Sequence, residues 1–302
     1  MPSAISTSGL TKYYGKTPGI VDLDLTVRAG EVFGFLGPNG AGKSTTIRVL
    51  MDFLRASRGR ATILGLDSHR DSVEIRRRVG YLPADLALYP QMTARELFGY
   101  FCAVRRVDAD RRIRVLAERF ALDLDRRISG YSSGMRQKAG IIQAFMHDPE
   151  LLILDEPTGG LDPLMQQEFN TLIDETRASG RTVFLSSHVL PEVERLADRV
   201  GIVRQSRLVA LEDVEALKEK ALRHVEMTFA GRIDPQAFQR LAGVRELSAS
   251  EDGLRLTLQV AGRVGAVIAE AARLSATDLV SHEAELEEIF LAHYGQARDD
   301  AP

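Results

Sequence analysis

Residues 31–50 read EVFGFLGPNGAGKSTTIRVL, and the change of texture halfway along them decides how the chain must fold. An apolar, β-rich run over Glu31–Gly37 gives way to Gly37-x-x-x-x-Gly42-Lys43-Ser44, and a helix-compatible stretch follows. Strand, glycine-rich loop and helix in that order form a phosphate loop. Gly37, Gly40 and Gly42 let backbone N–H groups face inward, and the next helix presents its N-terminus to negative charge. Lys43 is expected to reach the β- and γ-phosphates, and Ser44 to ligate Mg²⁺. Pro38, Asn39, Ala41 and Thr45 complete the expected nucleotide cradle.

A second element supports the first. Residues 151–163 read LLILDEPTGGLDP, a continuous apolar run that ends in Asp155. Such a run suits a strand covered on both faces, as in a parallel sheet. It delivers one carboxylate to the metal, as phosphoryl transfer requires, and leaves Glu156 to act on the attacking water. Together the two elements point to a nucleoside-triphosphatase, an α/β protein of the P-loop class.

The wider composition is compatible with that reading. The chain has 302 residues, a length that suggests about two domains. Its net charge of −3 argues against a protein whose main business is wrapping nucleic acid. The single cysteine, Cys102, excludes an internal disulfide and fits a reducing, cytoplasmic setting. The opening MPSAISTSGL lacks a basic start and an apolar core, and no run approaches the roughly 20 apolar residues of a membrane span. Any membrane role is expected to pass through a partner.

Further strands are expected at Arg60–Leu64, Thr182–Ser186 and Val200–Val203, alternating with helices. Between Asp85 and Asp148 the pattern turns almost wholly helical, at Thr93–Arg105, Arg111–Phe120 and Ser133–Met146, as in a helical insertion within a sheet domain. The expected boundaries are 1–219 for the nucleotide-binding domain, with its helical part at about 85–148, and 220–302 for an accessory domain. In the latter, HVEMTF and LRLTLQV alternate as half-buried strands do. With Pro235–Leu241, Val244–Ala249, Val264–Leu274 and Asp278–His282 they give the order β-α-β-β-α-β, a ferredoxin-like α+β arrangement. A final helix is expected over AELEEIFLAHYG, residues 284–295.

Three features refine the class. His188 follows the apolar run TVFLSS and can reach a nucleotide from the C-terminal end of a strand. Tyr14, in an expected N-terminal loop, could stack on a purine base, with Tyr13 as the competing candidate. Residues 130–138 read GYSSGMRQK, in which Ser132 and Ser133 are natural helix caps. A helix N-terminus bearing hydroxyls is also an anion site.

In this combination the chain resembles the nucleotide-binding subunits of ATP-binding cassette (ABC) transporters, over roughly residues 3–215. GPNGAGKST looks like Walker A, LLILDE like Walker B, YSSGMRQK like a variant signature, Gly160–Asp162 like the D-loop and His188 like the switch histidine. The resemblance implies ATP hydrolysis with Mg²⁺ held by Ser44 and Asp155, with Glu156, His188 and Lys43 as catalytic groups. It also implies a head-to-tail homodimer in which Ser132, Ser133, Gly134 and Asp162 face the partner's nucleotide. It implies a separate multi-spanning membrane permease as partner and no nucleic acid, with this chain cytoplasmic and peripheral on the inner face of the cell membrane. The C-terminal portion looks like drug- and sodium-efflux types. The alternative is a soluble ABC ATPase acting on DNA or ribosomes, but there is one cassette and no coiled-coil or paired-cysteine signal. The chain departs from the family at Ala84, where a glutamine is usual and whose role is either lost or shifted to Asp85, and at Ser133 and Met135 within the signature.

Overall fold

The computed structural model describes residues 2–220, 222–261 and 263–282. The chain divides between Leu211 and Glu212 into two compact units.

The first unit opens with β1 (Ser3–Tyr14) and β2 (Thr17–Arg28), followed by β3 (Val32–Leu36) and α1 (Lys43–Leu50). Next come β4 (Arg58–Ile63), β5 (Leu66–Asp67), α2 (Ser72–Arg78) and β6 (Val79–Leu82). The helical insertion contributes α3 (Ala94–Arg105), α4 (Asp110–Arg119) and α5 (Ser133–Phe145). The unit then runs through β7 (Leu151–Asp155), α6 (Pro163–Ala178), β8 (Thr182–Ser187), α7 (Leu190–Leu196), β9 (Arg199–Arg204) and β10 (Arg207–Asp213).

These strands make two sheets. One is ordered β10-β9-β3-β8-β7-β6, and β9, β3, β8, β7 and β6 run parallel. Every residue of β3 and β7 is buried, as continuous apolar runs covered on both faces require. Phe184 of β8 stacks on Phe33 at 5.8 Å and tilts against Phe35 at 5.3 Å, which ties the two central strands together. The parallel arrangement brings the C-terminal ends of β3, β7 and β8 to one edge, where α/β sheets bind ligands.

The other sheet, β2-β1-β4-β5, is antiparallel. Its first two strands correct an expectation. Tyr14 does not lie in a loop: it is the last residue of β1, paired with Thr17 across a tight turn. The Ser- and Thr-rich strand reads like a loop because its register with β2 shifts four times, which breaks the alternation a regular strand shows.

The helical insertion is amphipathic throughout. Thr93 caps α3 in a capping box with Glu96, and α4 buries Ile113, Leu116 and Ala117. α5 buries Ala139, Gly140, Ile141, Ile142, Ala144 and Phe145.

The second unit holds α8 (Val214–Lys220), β11 (Leu222–Phe229), α9 (Gln236–Gln239), β12 (Val244–Ala249), β13 (Arg255–Ala261), α10 (Gly265–Arg273) and β14 (Ala276–His282). From β11 onward the order is β-α-β-β-α-β. Its antiparallel sheet is ordered β12-β13-β11-β14, the ferredoxin-like topology. Val225, Met227, Phe229, Leu256, Leu258 and Val260 alternate onto one face, where Phe238 and Val267 of the helices cover them. The helix expected over residues 284–295 lies outside the described residues.

Candidate functional site

The site begins where β3 stops. Gly42 closes the loop at φ 111°, a left-handed conformation, and a Cβ there would lie 2.3 Å from the carbonyl oxygen of Gly19. Only glycine satisfies both constraints. Gly42 offers no side-chain cap to α1, so the first N–H groups of that helix keep their bonding capacity for an anion.

Lys43 opens α1 and is 6% exposed. Its Nζ donates to the carbonyl oxygen of Gly37 at 2.6 Å and lies 3.3 Å from Oε1 of Glu156. Together with Tyr14, Asn39, Ser44, Thr45 and Ala84, these residues line a cleft of 420 Å³. Pro38, Gly40 and Gly42 line it as well, whereas Ala41 turns its side chain into the core and Gly37 contributes its carbonyl.

Asp155 ends β7 and Glu156 follows it directly, and the two take different environments. Asp155 is buried at the sheet edge and accepts a hydrogen bond from Ser186 of β8, its cross-strand neighbour. Glu156 adopts φ 52°, which is strained for a side chain of its size, and its N–H donates to the carbonyl oxygen of Ser186 at 3.1 Å. That turn swings its carboxylate back over the sheet edge. Oε1 faces Lys43 and Oε2 meets Nδ1 of His188 at 2.8 Å. Lys43, Glu156 and His188, far apart in sequence, thus form one contiguous chain of polar contacts.

Ser44 and Asp155 are oxygen donors beside a phosphate loop, a set that fits Mg²⁺. This ion binds through one or two protein ligands with substrate phosphates and water completing its octahedron. Among the described residues, no group of three or more His, Cys, Asp or Glu could hold a metal unaided. Tyr81, near the end of β6, has its phenol pushed up to about 12 by burial, with the Asp155 carboxylate adding to the rise. It stays neutral at the site's margin.

Tyr14 rather than Tyr13 lines the cleft. Its ring is 46% exposed, its hydroxyl lies 3.4 Å from that of Thr45, and the ammonium of Lys12 lies 5.6 Å from the ring centroid. Ala84 lines the cleft with a methyl group only. The carboxylate of Asp85 is 94% exposed and 3.7 Å from Arg48.

Ser132, Ser133, Gly134 and Asp162 do not line this cleft. Ser132 caps α5, accepting from the N–H of Met135 at 3.2 Å, and Asp162 caps α6, accepting from Met165 at 3.0 Å. Gly134 approaches the carbonyl oxygen of Gly160 so closely that a Cβ would sit 2.8 Å from it. Both caps stay at the surface, with Ser132, Ser133 and Asp162 exposed.

Two supporting residues escaped the sequence reading. Ser186 orients Asp155, and the buried Gln137 donates from Nε2 to the carbonyl oxygen of Pro157 at 2.7 Å. The first could have been suspected from the hydroxyl pair ahead of His188. The second had no local signal, since its partner lies twenty residues away.

Comparison with known proteins agrees with this geometry. Residues 20–159 match the family described as ABC transporter. The chain is 36% identical over 229 residues to the bacitracin transport ATP-binding protein BcrA of Bacillus licheniformis, covering 75% of each. It is 30% identical over 310 residues to the linearmycin resistance ATP-binding protein LnrL of Bacillus subtilis (strain 168), covering 98% of this chain and 100% of LnrL. That likeness extends through the second unit. Among solved structures, an ATP-binding subunit of an ABC transporter superposes with a TM-score of 0.68 at 30% identity, covering 72% of this chain and 92% of that one. A dimeric bacterial ABC transporter cassette shares the fold, with a TM-score of 0.65 at 21% identity over 70% of this chain and 98% of that one.

Proposed function

The chain belongs to the ABC transporter family as an ATP-binding subunit, and on that premise we propose that it powers export of a drug or other small substrate through a separate membrane subunit. It is an ATPase. The observation that carries the mechanism is the contact chain Lys43–Glu156–His188 at the mouth of the phosphate loop.

The loop N–H groups and Lys43 hold the phosphates, and the N-terminus of α1 adds its dipole. Ser44 and Asp155 would hold Mg²⁺, which would supply positive charge to offset the negative charge developing on the phosphates. Glu156 accepts the proton of the attacking water. Its left-handed turn aims the carboxylate, and His188 fixes that aim while reaching toward the γ-phosphate. Tyr14 stacks on the base.

Two copies pack head to tail, so that Ser132, Ser133, Gly134 and Asp162 of one close over the nucleotide of the other. Supporting this, the four lie away from their own chain's cleft and Ser132, Ser133 and Asp162 are exposed. The permease docks on the helical insertion, at the cytoplasmic face of the membrane. Tyr89 and Tyr100, 54% and 47% exposed and packed edge to face at 6.3 Å, offer it an apolar surface. Among the described residues no helix is long and apolar enough to cross a membrane itself. The likeness to bacitracin and linearmycin proteins favours an antibiotic-like cargo.

The test is Glu156→Gln. Turnover should fall by about 10²-fold or more, the usual weight of a general base. Size-exclusion chromatography with ATP should show a stable dimer. A persistent monomer would overturn the paired-site reading.

A further inference from the structure

Glu192, in the first turn of α7, takes no direct part in the contact chain described above, yet its surroundings are unusual. Its Oε1 is shut off from solvent and makes no well-formed hydrogen bond. Its Oε2 accepts from the hydroxyl of Ser187 at 2.9 Å. That same Ser187 oxygen accepts from the N–H of Val189 at 3.0 Å. His188 therefore sits at the apex of a turn whose two flanking residues are fastened to one hydroxyl, and that hydroxyl is fastened to Glu192.

A half-buried carboxylate with one oxygen lacking a well-formed hydrogen bond costs stability, whatever depends on its other oxygen. Burial raises its pKa. The nearby Glu156 carboxylate adds to the rise, while the Thr158 and Ser187 hydroxyls and His188 oppose it. What depends on it here is the turn. His188 is itself 52% exposed and is held on its inner side by Glu156, at 2.8 Å. Without an anchor on the backbone, an exposed imidazole on a short connection between β8 and α7 has little else to fix its position.

We propose that Glu192 is a positioning residue for hydrolysis: through Ser187 it clamps the turn that carries His188 and so holds the imidazole on Glu156. This rests on the reading of Glu156 and His188 as the groups that act on water and γ-phosphate. The role requires a hydrogen-bond acceptor at position 192 and no charge. Glutamine, whose amide oxygen accepts equally well, should replace it.

The experiment uses the full-length chain and compares Glu192→Ala, Glu192→Gln, Ser187→Ala and the double alanine variant for kcat and for KM of ATP. Glu192→Ala should lower kcat about tenfold, because small misplacement of a reacting group is expensive in rate. KM should stay within about twofold, since no phosphate ligand has been removed. Glu192→Gln should restore kcat to within about twofold of the parent. Ser187→Ala should match Glu192→Ala, and the double variant should be no worse than either, as expected for residues in one chain of contacts. Should Glu192→Ala fold poorly, Ser187→Ala and Glu192→Gln still read the same link. Unchanged kcat in Glu192→Ala overturns the proposal. So does a Gln variant as slow as the Ala variant, or a double variant whose losses multiply. An ATP-trapped dimer in the Glu156→Gln/Glu192→Ala chain would keep the paired-site reading intact whichever way these rates fall. Its failure there, with Glu156→Gln alone also monomeric, would sink that reading instead.

Discussion

At the residue scale, the site is assembled from groups that chemistry places in adjacent positions. Lys43, Ser44, Asp155 and Glu156 stand in local patterns whose spacing is set by a turn or a strand end, and the structure puts Lys43, Ser44 and Glu156 on one cleft with Asp155 beside them. In the sequence Ser186 shows only as part of the hydroxyl pair ahead of His188, and Gln137 not at all, because their partners are fixed only when strands and helices assemble. Asp85, the candidate substitute for the missing glutamine, turns its carboxylate to solvent and Arg48 instead. An exposed pair of that kind is worth little. Asp85→Ala should accordingly leave ATPase activity within about twofold, which a coupled-enzyme assay reads directly. Ser186 should matter far more. Its hydroxyl holds the Asp155 carboxylate in one orientation, and loss of such an outer partner commonly weakens metal binding about 10–100-fold. In Ser186→Ala the Mg²⁺ concentration for half-maximal activity should rise by about tenfold, with nucleotide binding in EDTA unchanged. An unchanged Mg²⁺ requirement would show that Asp155 needs no such support.

At the element scale, the legible pieces were those with a regular period. β7 and β8 came from unbroken apolar runs, and α3, α4 and α5 from helical spacing. β1 was missed because its register shifts disperse the alternation, and β6, of four residues, is too short to carry a pattern. Two of the helix caps allow a local role to be separated from a shared one. Thr93 and Ser132 each satisfy one N–H of their helix, at 3.2 Å in both cases. Thr93→Ala and Ser132→Ala should each cost about 1 kcal/mol of stability, or roughly 2–4 °C in melting temperature. Only Ser132→Ala should also weaken the ATP-dependent dimer in the Glu156→Gln background, because in the proposed head-to-tail pairing α5, and not α3, would offer its N-terminus to a second copy's phosphate. Equal effects of both on the dimer would reduce Ser132 to a cap. At the far end of α5, His147 is tucked against the carbonyl oxygen of Val79 with Nδ1 buried and unbonded. Burial, reinforced by the positive charge of Arg105, lowers its pKa to about 4. A folded-state value below the ordinary 6.5 favours the neutral ring, so the contribution is complete above pH 6.5 and is lost as pH falls toward 4. The melting temperature should be flat above that window and decline within it. His147→Gln, whose amide can still donate to Val79, should flatten the decline. A slope unaltered by the substitution would assign it to the carboxylates.

At the scale of the whole molecule, the sequence indicated two units, and each has its own buried core. The second is recognisable because its alternating strands bury one face only, against α9 and α10. The first is more than a nucleotide cleft, because Ser132, Ser133, Gly134 and Asp162, which resemble nucleotide-site residues, do not line that cleft. A single copy presents phosphate-loop groups on one surface and capped, exposed helix ends on another. The two can meet around one nucleotide only if a second copy supplies what the first lacks, and a two-fold axis makes both sites at once. That arrangement has a consequence no single-chain site shares. Lys43→Ala disables every site to which its chain gives the phosphate loop, and Gly134→Arg disables every site to which its chain gives the signature. Each variant alone should be inactive. In a mixed dimer, both lesions fall in one site and the other is left whole. With random exchange half the dimers are mixed, so mixing equal amounts should restore about a quarter of parental activity where the sites turn over independently. The recovery should grow with total protein concentration as dimers form. Enzymes whose sites were complete within one chain would stay inactive at every mixing ratio.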